Sequence, residues 1–281
     1  MVLQPKQGTP PAWVQSYSQD ESLVGFLDLP RELRDLVYEW AFRISGAILI
    51  YTRDPTAARL VARAMNIRHG GCGPSEPQPL RTKQLPVALM RSCRQLNAEC
   101  SPVLYGGNVF SSWNLHLLEL GLAHRHLLVR HIVMDASPRG IFDKSLEHVK
   151  YCWKNRFWPE ILKSGKAMLD RFPNLESLTF SLKPPTHNEV LWRPGFFAVG
   201  KNKTREQRVG IVAVWMSMGC CWQDDETLRA CLRLEMSPQV GRLIAKREYE
   251  GSRFAPEDDG YDDVWDYTEF ADAFDRMKCL V

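Results

Sequence analysis

The chain has 281 residues, 44% of them hydrophobic and 25% charged, which is enough to bury one large core or two modest ones and too apolar for a disordered adaptor. Its 36 basic and 33 acidic residues leave a net charge of +3 and intermix over most of the length, so no field singles out nucleic acid as a partner. No run approaches the roughly 18 apolar residues of a membrane span, and the N-terminus has no apolar stretch behind a basic start, so a soluble, intracellular protein of cytoplasm or nucleus is expected, with no membrane contact.

Residues 1–22 are rich in Pro, Gln, Ser and Gly and show no apolar period, so they read as a mobile leader. In "FLDLPRELRDLVYEWAF" Pro30 suits the opening turn of a helix, and Leu33, Leu36, Val37, Trp40 and Ala41 recur at i, i+3, i+4, i+7 and i+8. Arg31, Glu32, Arg34, Asp35 and Glu39 are assigned to the opposite, solvated face. Burying the four large side chains of the stripe would contribute on the order of 10 kcal/mol. Core packing is the commoner fate of such a stripe; a role in recognition requires that it stay exposed. "GAILIYT", from Gly46, reads as a strand, "TAARLVARAM" as a short helix and "RHGGCGPSEPQP" as a loop.

A second helix from about Pro86 carries Leu89, Cys93, Leu96 and Cys100 in one stripe. Pro102 is expected to interrupt it, with Ser101 capping a further turn and Gly106-Gly107-Asn108 supplying positive φ where the chain enters the strand "NVFSSW". "LHLLELGL" then reads as a helix leading to a strand in "LLVRHIVMDA". "FWPEILKSGKAMLDRF" repeats that order, with a stripe of Ile161, Leu162, Met168, Leu169 and Phe172 before a strand bearing Leu178, Phe180 and Leu182. Helices between strands predict parallel neighbours. Further on, "REQRVGIVAVWMSMGCCW" is helix or buried strand, "TLRACLRLEM" a third strand, and "SPQVGRLIAKREYE" a helix capped by Ser237. The closing segment places Trp265, Phe270 and Phe274 on one helical face that packs back onto the domain.

Candidate chemistry is sparse. His124, His126 and His131, with Asp135 nearby, lack zinc-like spacing and read as ordinary histidines. The eight cysteines, at 72, 93, 100, 152, 220, 221, 231 and 279, form no CxxC pair and read as reduced, packed thiols, the adjacent Cys220 and Cys221 included. "KNKTREQR" reads as a solvated loop. No GxSxG, P-loop, GxGxxG or HExxH motif occurs. No catalytic, metal or cofactor-binding residue is therefore assigned.

Three stretches carry a family resemblance. Leu29, Pro30, Glu32, Leu33, Arg34, Tyr38 and Glu39; then Cys93, Arg94, Gln95, Glu99, Pro102, Leu104, Tyr105, Gly106, Asn108 and Phe110; then Arg130 and His131 follow the pattern LPxELRxxIYE … CRQIxxExxPxLYGxNxF … IRH. The chain thereby resembles, over residues 26 to about 182, a group of uncharacterised proteins of filamentous fungi. That group is in turn similar to the F-box, whose helices recruit the Skp1 subunit of a ubiquitin ligase while a downstream domain holds the substrate. The resemblance implies that Leu29, Pro30, Leu33 and Val37 contact a protein partner, a Skp1-like subunit. Two departures stand out: more than forty residues separate the two helical motifs, and Leu96 takes the place of the F-box Trp.

The expected fold is α+β, with F-box-like N-terminal helices on a small sheet of leucine-rich-repeat-like helix–strand units and a C-terminal helical extension. The expected division is a leader over 1–22, an F-box-like helical region with an insert over 23–113, helix–strand units over 114–182, and an extension over 183–281 sharing the same core. The expected function is a non-enzymatic protein–protein interaction module, which the resemblance narrows to a substrate adaptor of a ubiquitin ligase. The alternatives are a scaffold with no ubiquitin link and an enzyme of unrecognised type.

Overall fold

The computed structural model describes residues 25–44, 46–52, 60–65, 85–112, 115–136, 146–182, 203–220, 222, 225–236 and 268–280. The expected leader, the loop after residue 66 and the helix expected at Ser237 lie outside them, as do Cys72, Cys221 and Trp265.

The fold is mixed α+β. In chain order come α1 (Arg31–Phe42), β1 (Ala47–Thr52), β2 (Leu60–Met65), α2 (Val87–Ser92), α3 (Arg94–Ser101), β3 (Val109–Ser112), α4 (Leu115–Leu122), β4 (His131–Ala136), α5 (Leu146–Cys152), α6 (Trp158–Arg171), β5 (Ser177–Leu182), α7 (Arg205–Ser217), α8 (Glu226–Cys231), β6 (Leu232–Met236) and α9 (Thr268–Lys278). The six strands form one sheet in the order β2-β1-β3-β4-β5-β6. All neighbours are parallel except the β1–β2 pair.

Each helical crossover advances the sheet by one strand, and right-handed crossovers that all advance the same way place their helices on one face. The register then stacks like with like: Ile48, Phe110, Ile132, Leu178 and Leu232 stand side by side across five strands, and all five are buried. They join a single core with Leu118 of α4, Trp158 and Ile161 of α6 and Leu228 of α8. Thr179 and Ser181, on the alternate positions of β5, are buried as well, so period 2 in that strand separates two covered faces rather than core from solvent.

Beside β5, an aromatic cluster joins the helices. Trp153 stacks on Phe157 with centroids 4.4 Å apart and meets Trp158 edge-on at 5.5 Å; Trp158 in turn touches Trp222 and Phe274. The indole N–H groups of Trp153 and Trp158 both donate to the Met216 carbonyl of α7, at 3.1 and 3.0 Å. A buried indole needs such an acceptor. Gly165 of α6 lets α8 approach, since a Cβ there would stand 2.6 Å from Leu228 Cδ1.

Several local expectations are corrected. Residues 60–65 of the expected short helix form β2, pairing antiparallel with β1 from Thr52↔Leu60 to Ala47↔Met65; a six-residue segment is too short for its period to settle helix against strand, and hydrogen bonding to β1 does. The second helix breaks at Cys93, whose φ of −154° is extended and whose Sγ accepts from Leu96 N at 3.4 Å. Leu89 and Cys93 are only half-buried, whereas Leu96 and Cys100 are in the core. Pro102 does not interrupt its helix, and Ser101 is helical rather than a cap: a π turn runs straight on over Pro102–Gly106. Gly107 has φ −89°, and the single positive-φ glycine among the described residues is Gly219. A side chain on Gly107 would nevertheless put its Cβ 2.7 Å from the Val103 carbonyl oxygen. His124 lies in a turn and His126 opens a 3-10 turn ahead of β4.

The C-terminal part is not only helical. It supplies a third helix–strand unit, with "REQRVGIVAVWMS" as α7 and "TLRACLRLEM" divided between α8 and β6. Asp225 caps α8 through Leu228 N at 2.8 Å. "KNKTREQR" is a helix start from Thr204 on rather than a loop. Thr204 and Gln207 form a reciprocal capping box, and Arg208 pairs with the buried Glu269 of α9. As expected, Phe270 and Phe274 are buried, and α9 packs on α7 and β6.

Candidate functional site

The N-terminal helix turns its expected apolar stripe outward and Arg34, expected on the solvated face, inward, while Arg31, Glu32, Asp35 and Glu39 stay accessible to solvent as expected. Arg34, Tyr38 and Phe42, spaced by four, point inward; all three are buried, Arg34 at 9% exposure. Leu33, Leu36, Val37 and Trp40 face outward at 48%, 66%, 39% and 73% exposure. At about 100° per residue the two rows are centred roughly 150° apart, so one helix carries both an inward and an outward apolar face.

A carboxylate decides which row turns inward. Glu99, on α3 and 8% exposed, receives both arms of the Arg34 guanidinium, Nε to Oε2 and Nη2 to Oε1, each at 3.0 Å. Tyr38 Oη donates to Oε2 at 2.6 Å, and Gln95 Nε2 to Oε1 at 3.0 Å. The remaining guanidinium nitrogen, Nη1, donates to the carbonyls of Leu27 and Leu29 at 2.9 and 2.6 Å, tying down the turn that enters the helix. Hydrogen bonds to the ionised form, with Arg34 the largest contributor, hold the Glu99 carboxyl at about 2. Burial raises the Tyr38 phenol. Because every buried group of the network is paired, the inward orientation is stable, and turning the stripe inward would strand a buried carboxylate.

The end of α1 is locked separately. Asn108, 1% exposed, accepts from Ile44 N at 2.8 Å and donates to the Phe42 and Leu104 carbonyls, each at 2.9 Å. Its one side chain joins α1, the π turn and the start of β3. The helix is thus fixed at both ends while its outer row meets solvent.

Of the four residues expected to contact a partner, Leu29 is half-buried, and Pro30, Leu33 and Val37 are exposed. They lie together along one side of α1, where Leu36 and Trp40 extend them. Ion pairs at i, i+4 flank the row: Arg31 with Asp35 at 2.7 Å and Arg43 with Glu39 at 2.9 Å. These exposed pairs leave the margin of the row close to neutral and add little to stability. Among the described residues no three His, Cys, Asp or Glu side chains group as metal ligands. His131 hydrogen-bonds Ser177 Oγ through Nδ1 at 2.9 Å, and burial lowers its pKa; the sheet register brings these two together.

The arrangement accounts for the sequence pattern residue by residue: Arg34, Tyr38, Gln95 and Glu99 make the buried network, Cys93 caps α3, Asn108 locks the junction, and Tyr105 stacks on Phe110 at 6.0 Å. The same stretch lies inside a longer match, since the family described as a domain of unknown function, DUF7730, matches residues 17–193. The chain belongs to the DUF7730 family. In this DUF7730 chain the match takes in α1 to β5 and stops before α7, so α7, α8, β6 and α9 lie beyond it. No curated protein and no solved structure matches the chain. Among the described residues no helix is long and apolar enough to cross a membrane.

Sequence reading missed Arg34 and Glu99 as site-forming groups. The available signal was the spacing of Arg34, Tyr38 and Phe42, a second row in helical phase that only a distant carboxylate completes.

Proposed function

We propose that this chain is a non-enzymatic protein–protein interaction module that docks a partner through the outer row of α1: Leu33, Leu36, Val37 and Trp40, with Leu29 and Pro30 at its N-terminal end. One observation carries the reading: four large apolar side chains in consecutive turns remain 39–73% exposed on a helix whose orientation is set by buried charge. A contiguous apolar strip on a rigid helix is the form in which helices present anchors to a partner's groove. The likeness of "LPRELRDLVYE" to the F-box supports a Skp1-like subunit as that partner, and with it a role as substrate adaptor of a ubiquitin ligase. The F-box likeness rests on sequence pattern.

Co-purification of the full chain with a Skp1-like subunit tests it. Leu36→Asp and Leu33→Asp are expected to abolish capture while changing stability by no more than about 0.5 kcal/mol, because both side chains already meet water. Undiminished capture by both variants would reject the α1 surface. Failure of the wild-type chain to bind the subunit, with another protein bound in an α1-dependent manner, would retain the module and remove the ligase link.

A further inference from the structure

Outside the region matched by the family, α7 and α9 enclose an open groove of about 470 Å³, lined by Lys203, Glu206, Ile211, Val214, Arg276 and Leu280 among others. Its volume falls in the range of ligand clefts, yet Val214 and Leu280 are 52% and 53% exposed, so it cannot enclose a small molecule as a cavity does. The neighbouring cations are matched: Arg205 pairs with Asp272, Arg208 with Glu269 and Lys278 with Asp275. Arg276 and Lys203 have no acidic partner among the described residues. Gly210, in the middle of α7, leaves the groove floor bare, and the Arg276 guanidinium lies over it, with Nη1 3.4 Å from where a Cβ would stand. The groove thus combines an apolar floor with a guanidinium that no described carboxylate engages. Against two cations stands a single lining acid, Glu206.

We propose that this groove docks an amphipathic helical segment of a partner protein, with apolar side chains on Ile211, Val214 and Leu280 and a carboxylate received by Arg276. A guanidinium fork binds a carboxylate through two parallel charge-assisted hydrogen bonds, and a groove between two helices accepts anchors at i and i+4 of a third. The surface is separate from α1, so the proposal stands whether or not the α1 row binds a partner.

The test uses the full chain with methyl-labelled Ile, Leu and Val, titrated with an alanine-based helical peptide bearing two leucines one turn apart and a glutamate on the same face. The methyl resonances of Ile211, Val214 and Leu280 are expected to shift. Binding is expected to fall ~10-fold for the peptide with glutamine in place of glutamate and ~10-fold for the Arg276→Gln variant, the scale of one charged hydrogen bond. Val214→Asp should abolish it, and Leu36→Asp should leave it unchanged. Equal affinity for the glutamine peptide, indifference to Arg276→Gln, or no methyl shift at any soluble peptide concentration would overturn the proposal. So would sedimentation as a dimer that Val214→Asp dissolves, which would make a second copy of the chain the occupant.

Discussion

Glu99 organises the N-terminal region because it is a buried acid with four donors around it: Arg34, Tyr38, Gln95 and, at 3.3 Å, Arg31. Its identity was visible in the sequence pattern, but its partners were not, because Arg34 lies 65 residues away and a lone Arg on an amphipathic helix reads as solvated surface. The consequence is a pH dependence with a definite sign. The folded-state carboxyl sits at about 2 against an ordinary value of 4.5, so the network's stabilisation is complete above the ordinary value and is lost as pH falls through that interval. Melting temperature should therefore decline between about pH 4.5 and about pH 2. Glu99→Gln should lower it at neutral pH and flatten the acid limb, as read by circular dichroism melts at a series of pH values. An unchanged acid limb in that variant would mean that other carboxylates govern acid unfolding.

At the scale of elements, α1, α6 and α9 were legible as helices, α7 fitted helix and buried strand alike, and the joints between helices were not legible. α6 followed its stripe, with Ile161, Met168 and Phe172 all buried, because a 14-residue helix samples its period several times. The six residues of β2 do not, and pairing with β1 outweighed their local preference. The stretch Ser101–Gly106 defied turn rules for a related reason: Asn108 supplies acceptor and donors to the surrounding backbone, so the chain continues as a π turn rather than stopping at Pro102. Asn108→Ala leaves Ile44 N–H and the Phe42 and Leu104 carbonyls short of a partner in a buried place. A loss of about 3 kcal/mol or more is expected by chemical denaturation, with amide exchange speeding up first at Ile44 if the junction is where the damage lies.

Across the whole molecule, the sheet is a stack of helix–strand units whose last member needs a cover. Among the described residues β6 pairs with β5 alone, and α9 packs against it and α7 with Phe270, Phe274 and Met277 buried. Those three side chains represent on the order of 5–8 kcal/mol of burial, comparable to the net stability of an ordinary domain. Removing residues 268–281 should therefore leave a chain that elutes as aggregate in size exclusion, with the aromatic cluster around Trp158 exposed to dye; a monomeric, cooperatively melting truncation would show that α9 is dispensable. By itself the sequence determined the mixed composition, the helix–strand alternation, the parallel pairing it implies and the inward packing of α6 and α9, because these follow from periods and connection lengths carried within single segments. Only the tertiary structure decided which face of α1 turns outward, that residues 60–65 pair as a strand, and that the strand read in "TLRACLRLEM" is preceded by α8 and joins β5. Those outcomes depend on groups far apart in the chain, a carboxylate meeting its guanidinium or one strand finding its neighbour, and local periodicity does not encode such meetings.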